Sequence, residues 1–327
     1  MAITAQPMTI EQASRITAAR VAQLVNDNGR AMRAMRKLLA DSLKEVEARV
    51  ATMRAKGIGD ARFSQVQAKA LAVQIRQSID DLTVRMEGLR AATVRSAARK
   101  GIVDMIRQLK GLERHYRGVA VPLRVEQAAQ FRGLVNGVSR SIMRDHPLSS
   151  VRAYGMPLVE HWETYLSRSV MAGTPFGEVL DRVTAAAQTP GLLQGDNYDD
   201  PTFERWRAER IIRTETLSSY NGARQRAMEG SVDDVPNLMK QVREHKDGRT
   251  AWDSMTVDGQ VRPLGGFFED GAGHVFAYPP SRPNDRGWVL PWSPDWGIPG
   301  NLGGPLWIPG GPDPSRRKRK GGKRRRR

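Results

Sequence analysis

Three stretches between Glu209 and Trp292 hold the residues whose types and spacing could do chemistry. In RIIRTETLSSYNGAR (Arg210–Arg224), a helical register brings Arg213, Leu217, Tyr220, Asn221 and Arg224 near one face, with Glu215 offset from them. DGRTAWDSMTVDG (Asp247–Gly259) and YPPSRPND (Tyr278–Asp285) follow. A catalytic carboxylate converges with a base or a metal, and this spacing supplies no such partner for Glu215. The Arg213 guanidinium and the Asn221 amide suit a different task. They can satisfy strand-end carbonyls and turns that would otherwise be buried unpaired, fastening a β module to the helix. His245, Asp247, Asp258 and His274 are the side chains that could assemble a weak oxygen/nitrogen metal site. HKD (His245–Asp247) shares letters with the phospholipase D signature, but that motif needs its three residues spaced apart. There is no G-x-x-x-x-G-K-[ST] segment, which argues against a packaging ATPase. His115 and His161 are scattered in helical runs as surface or interface residues.

The order and spacing of the three stretches resemble the C-terminal module of phage head morphogenesis proteins, the Mu F-like minor head family. That pattern reads R-T-E…N…R on a helix, then D-x-R-T…G, then P-P-x-x-P-N, and it covers about a quarter of this chain. The resemblance implies a structural polar network of Arg213, Thr214, Glu215, Asn221, Arg224, Asp247, Arg249, Thr250 and Gly259. It implies no catalytic residues, no cofactor and a place at the portal vertex or inner capsid. Portal or major capsid protein, packaged DNA and further copies of the chain are then the expected partners. Many relatives carry His or Cys near the second and third stretches, in a pattern that looks like a metal site. Here those places hold Ala251, Ser254, Arg282, Asp285 and Gly287. A structural zinc site needs four suitable ligands, so no stoichiometric metal is expected.

Long helices must carry this module. Val25, Met32, Leu39, Val46 and Met53 recur every seven residues, and Leu24, Met35, Leu38 and Leu43 fill the neighbouring stripe. Met8–Ala55 therefore reads as one helix reaching roughly 70 Å, with Thr9 and Gln12 offering a capping box. KGIGD (Lys56–Asp60) supplies a Gly-rich stop. A second run follows, through Ile75, Ile79, Leu82, Met86, Leu89, Val103, Ile106 and Leu109. Gly88, Gly101 and Gly111 each weaken it by about 1 kcal/mol relative to Ala and mark places where it can break. Together the two runs predict an antiparallel hairpin, whose stripe serves packing within the hairpin or its oligomer. Shorter helical patterns follow at Pro122–Arg144, Ser150–Met171 and Pro175–Ala187. A loop at Thr189–Pro201 then leads into the signature helix, Thr202–Met228. From Asn237 the texture changes to short strands, with Asp247–Gly248, Asp258–Gly259 and Asp270–Gly271 as hairpin-type dipeptides.

Seven Pro and six Gly in the 24 residues of Pro291–Pro314 exclude regular helix or sheet there. Trp292, Trp296 and Trp307 nevertheless lie inside the segment. They are either anchors docking an extended arm on a partner, or residues that fold back over the chain's own β module. The last twelve residues carry Arg316, Arg317, Lys318, Arg319, Lys320, Lys323, Arg324, Arg325, Arg326 and Arg327, and no acid. They account for most of the net charge of +17, since Met1–Ser315 keeps 42 basic against 35 acidic residues, or about +7. So dense a block of like charge predicts a disordered tail with sequence-independent affinity for phosphates.

The sequence thus divides into a helical hairpin (1–120), a helical domain (121–236), a small β-rich module (237–292), an arm (293–315) and a basic tail (316–327). The expected fold class is mainly α with a small C-terminal α+β module. Hydrophobic content of 39% lies below the usual 45–50%, so the core is modest. No apolar run approaches the roughly 20 residues of a membrane span, and no signal peptide is visible at the start. Zero cysteines exclude disulfides and thiolate ligands. The expected function is that of a non-enzymatic minor head protein of the virion, assembled in a host cytoplasm and touching packaged double-stranded DNA through its tail. The alternatives are a metal-dependent nuclease built on the β module, or a plain DNA-compacting protein.

Overall fold

Helix α1 begins as its capping residues direct. The Thr9 hydroxyl accepts the Gln12 N–H at 3.2 Å, and the Gln12 side chain accepts the Thr9 N–H at 2.7 Å. In the computed structural model, residues 3, 5–55, 65–145, 168–175, 178–179, 201–245, 250–282 and 285–301 are described. α1 runs over Ile10–Ala55 and α2 over Gln65–Tyr116. The two run antiparallel, with Thr17 meeting Gln108, Arg20 meeting Asp104, and Glu45 facing Arg85. The predicted reversal at Lys56–Asp60 lies outside the described residues. The expectation of a mainly α chain with a small C-terminal sheet module holds.

α2 is unbroken through its glycines, for a reason that sequence spacing hides. A Cβ on Gly101 would come within 2.3 Å of the Tyr220 carbonyl oxygen, and one on Gly111 within 2.7 Å of the Gln6 carbonyl oxygen. These glycines let other backbone approach, and the packing so gained outweighs their lower helix propensity. At Gly111 the approaching backbone also bonds directly, the Met8 N–H donating to the Gly111 carbonyl at 3.1 Å. Gly88 has nothing within 4 Å of the same position.

Two compact units emerge, each discontinuous in sequence. The first comprises Met1–Val25, Arg95–Arg140 and Arg213–Arg327, and the second Asn26–Val94 and Ser141–Ile212. The first unit's core joins Ile10, Ala13, Val21 and Leu24 of α1 to Ile102, Met105, Ile106, Leu109 and Leu112 of α2. A short 3₁₀ turn at Arg124–Glu126 precedes α3 (Ala128–Asp145), and α4 (Pro201–Glu229) is the signature helix. The expected helices at Ser150–Met171 and Pro175–Ala187 fall almost wholly outside the described residues, as does the loop at Thr189–Pro201.

The β module follows α4. Strand β1 (Met239–Arg243) is the centre of a three-stranded sheet, flanked by β2 (Val261–Pro263) and β5 (Trp288–Trp292), both antiparallel to it. A one-turn helix α5 (Trp252–Met255) lies in the β1–β2 connection, and β3 (Phe268–Glu269) pairs with β4 (Val275–Phe276) in a separate hairpin. Asp270–Gly271 does turn that hairpin, the Asp270 carboxylate accepting the Ala272 and His274 N–H groups at 2.9 Å. Asp258–Gly259 does not join two strands directly. Gly259, at φ +83°, returns the chain from α5 into β2. The Asp247–Gly248 pair lies outside the described residues.

The Pro/Gly-rich segment also departs from expectation at its start, because Pro291 and Trp292 belong to β5. Val289 directs its N–H and C=O away from β1, towards α4. By strand alternation Pro291 shares that orientation, so the N–H it lacks is one β1 never uses.

Candidate functional site

On α4, Asn221 and Arg224 close the free edge of β5. The Asn221 Nδ2 donates to the Gly287 carbonyl at 3.0 Å, and its Oδ1 accepts the Val289 N–H at 3.3 Å. One side-chain amide thus gives and takes the bonds a neighbouring strand would. The Arg224 Nε donates to the Val289 carbonyl at 2.9 Å, completing the edge. Both side chains are wholly buried, so an unpaired group here would cost about 1–3 kcal/mol. Of the expected network residues, Asn221 and Arg224 make these bonds to β5, and Arg213 is half-buried on the same helix. Four residues beyond Tyr220 on the helix, Arg224 shares the buried face with Asn221 and Leu217. Thr214 is half-buried on the same helix, and Glu215 is buried beside it.

The junction continues into the N-terminal helices. The Arg224 Nη2 donates to Gln108 Oε1 at 2.6 Å, and the Gln108 amide donates to the Thr17 hydroxyl at 2.7 Å. The Tyr220 hydroxyl donates to Asp104 Oδ2 at 3.0 Å, and the same oxygen accepts Arg20 Nε at 3.0 Å. Burial drives the Tyr220 hydroxyl well above its usual pKa, so it remains a protonated donor. α1, α2, α4 and β5 are thereby joined by one relay of hydrogen-bonded groups, buried except for the half-buried Arg20. Asp104 and Gln108 were missed at the level of sequence. Their signal was two polar residues at i, i+4 spacing among Ile102, Met105, Ile106 and Leu109.

The remaining motif positions are mostly turn chemistry. The Thr250 hydroxyl donates to the His245 carbonyl. The Gly259 N–H donates to the Val242 carbonyl at 2.8 Å, and its carbonyl accepts the Asn301 N–H at 3.1 Å. Asp247 and Arg249 lie outside the described residues. Arg282 grips the Asp253 carboxylate with two nitrogens and also donates to the Ser254 hydroxyl. This bond holds the Asp253 carboxyl below its usual value. Ser254 and Arg282, two of the places where the resemblance looks for metal ligands, are thus fastened to each other. Asp285 accepts the Ser281 and Gly287 N–H groups, shaping the loop that enters β5. Glu244 is buried against that loop. Desolvation, with Asp285 and Asp258 adding repulsion, pushes its pKa well above the usual range.

Three of the four side chains weighed as a metal set have other engagements. The His274 Nδ1 sits 2.8 Å from Asp270 Oδ2, and the Asp258 Oδ1 accepts the Glu244 N–H at 3.0 Å. The His245 ring lies edge-on to Trp288, and Asp247 is not described. Among the described residues no group of three or more His, Asp or Glu side chains is arranged to hold a metal ion. Among them too, no helix is long and apolar enough to cross a membrane.

Trp292 and Trp296, for which docking on a partner and folding back were both open, are buried in the first unit at 5% and 4% exposure. Both indoles therefore pack within the chain itself. The Trp296 Nε1 donates to the buried Glu113 carboxylate at 2.7 Å, and its ring stacks on Tyr116 at 6.2 Å. Gly300 lies directly against the Trp292 ring, and the Asn301 carbonyl accepts the Val261 N–H of β2 at 2.7 Å. The described part of the arm folds back because these indoles find an apolar surface and a carboxylate in their own chain. Trp307 and the basic tail, Arg316–Arg327, lie outside the described residues. Compared with known proteins, the chain matches no family model, no curated protein and no solved structure.

Proposed function

We propose that this chain is a structural minor head protein of a phage virion, acting at the portal vertex or inner capsid in head assembly, DNA packaging or genome delivery. The observation that carries the reading is the use of the signature residues. Asn221 and Arg224, which bear the resemblance to Mu F-like proteins, are spent on fastening β5 to α4. A motif used in this way supports a scaffold role, and the reading assigns the chain no catalysis of its own. The portal or major capsid protein, further copies of the chain, and packaged duplex DNA are its proposed partners. The DNA contact is non-specific and resides in the ten cations of Arg316–Arg327.

Sedimentation of head particles tests the assembly role. The protein should travel with purified heads at a fixed ratio to the portal or shell protein, and its recovery only in the soluble fraction would overturn the proposal. Salt titration tests the tail. If all ten cations met phosphates, log K would fall with log salt at a slope near −9. A flexible tail makes fewer contacts at once, so a slope between about −4 and −9 is expected. Truncation after Ser315 should abolish most of it. An unchanged slope after truncation would move DNA binding out of the tail.

A further inference from the structure

α2 carries a one-sided charge pattern that neither the buried junction nor the tail explains. From Arg95 to its end at Tyr116 it has six Lys or Arg and two acids, Asp104 and Glu113. Both acids are buried and engaged, Asp104 by Arg20 and Tyr220, Glu113 by Trp296 and Arg117. The exposed charged residues of this stretch of the helix are therefore all cations. Lys110 pairs with Glu126, and Arg114 donates to the Ala5 carbonyl. Arg95, Arg99 and Arg107 are exposed, and none of their side chains makes a hydrogen bond or ion pair with a described residue.

We infer that the outward face of α2 from Arg95 to Arg107 is a second, preformed contact for the phosphate backbone of duplex DNA. At 1.5 Å rise per residue the three arginines span about 18 Å. One DNA strand offers a phosphate every 3.4 Å of axis, so the run lies against about five phosphates. Guanidinium forks bind phosphate oxygens in pairs, and Arg is the side chain suited to this. The face also lacks what a protein interface is built around. Ser96 is its small polar exposed residue, Val103 is only half-buried, and no aromatic side chain stands between Arg95 and Arg107. Carried on a rigid helix, the arginines are already held in register. The choice of DNA as the polyanion rests on the proposed head-protein function, whereas the face itself does not.

The experiment compares two full-length triple variants that remove the same charge. One is Arg95→Gln, Arg99→Gln, Arg107→Gln. The control is Arg30→Gln, Arg124→Gln, Arg226→Gln, which removes exposed cations already neutralised by acidic neighbours. Duplex DNA affinity is measured across salt concentrations, with a thermal melt of each variant. The face triple should keep its melting temperature and show a log–log slope shallower by about 2–3, from about 0.9 per lost phosphate contact. The control should stay within about 1 of wild type. Equal slopes for wild type and face triple would overturn the inference, as would equal shallowing in both triples. An unchanged DNA slope with loss of binding to polyglutamate would assign the face to an acidic protein and overturn it too. Because the tail is intact in both variants, failure here is distinguishable from failure of the tail truncation.

Discussion

Asn221 shows how far residue types alone can be read. An Asn and an Arg on one helix face pointed to backbone groups needing partners, and the structure places Asn221 on Gly287 and Val289. The partners were not legible, because backbone carbonyls and N–H groups leave no mark in side-chain identity and lie 66 and 68 residues away. Nor was the carbonyl that Arg224 meets, which depends on how α4 is rotated against β5. Asn221→Ala should cost about 2–4 kcal/mol in urea unfolding, since two buried backbone groups lose their partners. Asn221→Asp should cost at least as much, because it keeps an acceptor for Val289 but loses the donor and buries a charge. A loss below about 0.5 kcal/mol for the alanine variant would show that water can replace the amide.

Lys240 was not singled out from sequence and carries a pH prediction. Its side chain is buried in the central strand, donating to the Ala277 carbonyl at 2.7 Å beneath the Phe268 ring. Desolvation lowers its pKa from 10.5 to about 8. Between those values the unfolded chain holds the proton that the folded chain has lost. Stability attributable to Lys240 therefore rises with pH from about 8 to 10.5 and is lowest below 8. Denaturation of wild type and Lys240→Met at pH 7, 8, 9 and 10 should show that rise in wild type alone. Parallel curves would contradict it.

At the scale of elements, hydrophobic periodicity located α1 and α2 because an apolar stripe repeats every turn or two, whereas α4 was placed by its signature residues. What failed was the reading of exceptions. Gly101 looked like a weakness in α2 and is a contact point, and Pro291 looked like the end of regular structure and sits on a strand edge. Both depend on what packs against them. The two glycines therefore give opposite predictions. Gly88→Ala should raise stability by about 1 kcal/mol, gaining helix propensity in open space. Gly101→Ala should lower it by about 1–3 kcal/mol, because its methyl meets the Tyr220 carbonyl and Ala223. Thermal melts of the pair decide this, and a gain for both would mean that α4 can shift away from α2.

At the scale of the whole molecule, the first unit is assembled from chain ends and middle together. A linear division into hairpin, helical domain, module and arm could not show that Trp296 closes on Glu113, 183 residues away. Trp296→Ala should lower stability by about 3–5 kcal/mol, removing a buried indole and the partner of a buried carboxylate. A folded, unperturbed variant that fails only to enter heads would restore the arm's role as a partner anchor.

The central claim is that the chain is a built-in component of the head, with its signature residues holding the fold. Cryo-EM of purified, DNA-filled particles tests it most directly, using heads assembled with wild-type protein and with Asn221→Ala. The account predicts density for the chain at the portal vertex or inner shell wall of wild-type heads, and reduced occupancy for the variant. Wild-type heads without that density would contradict the account.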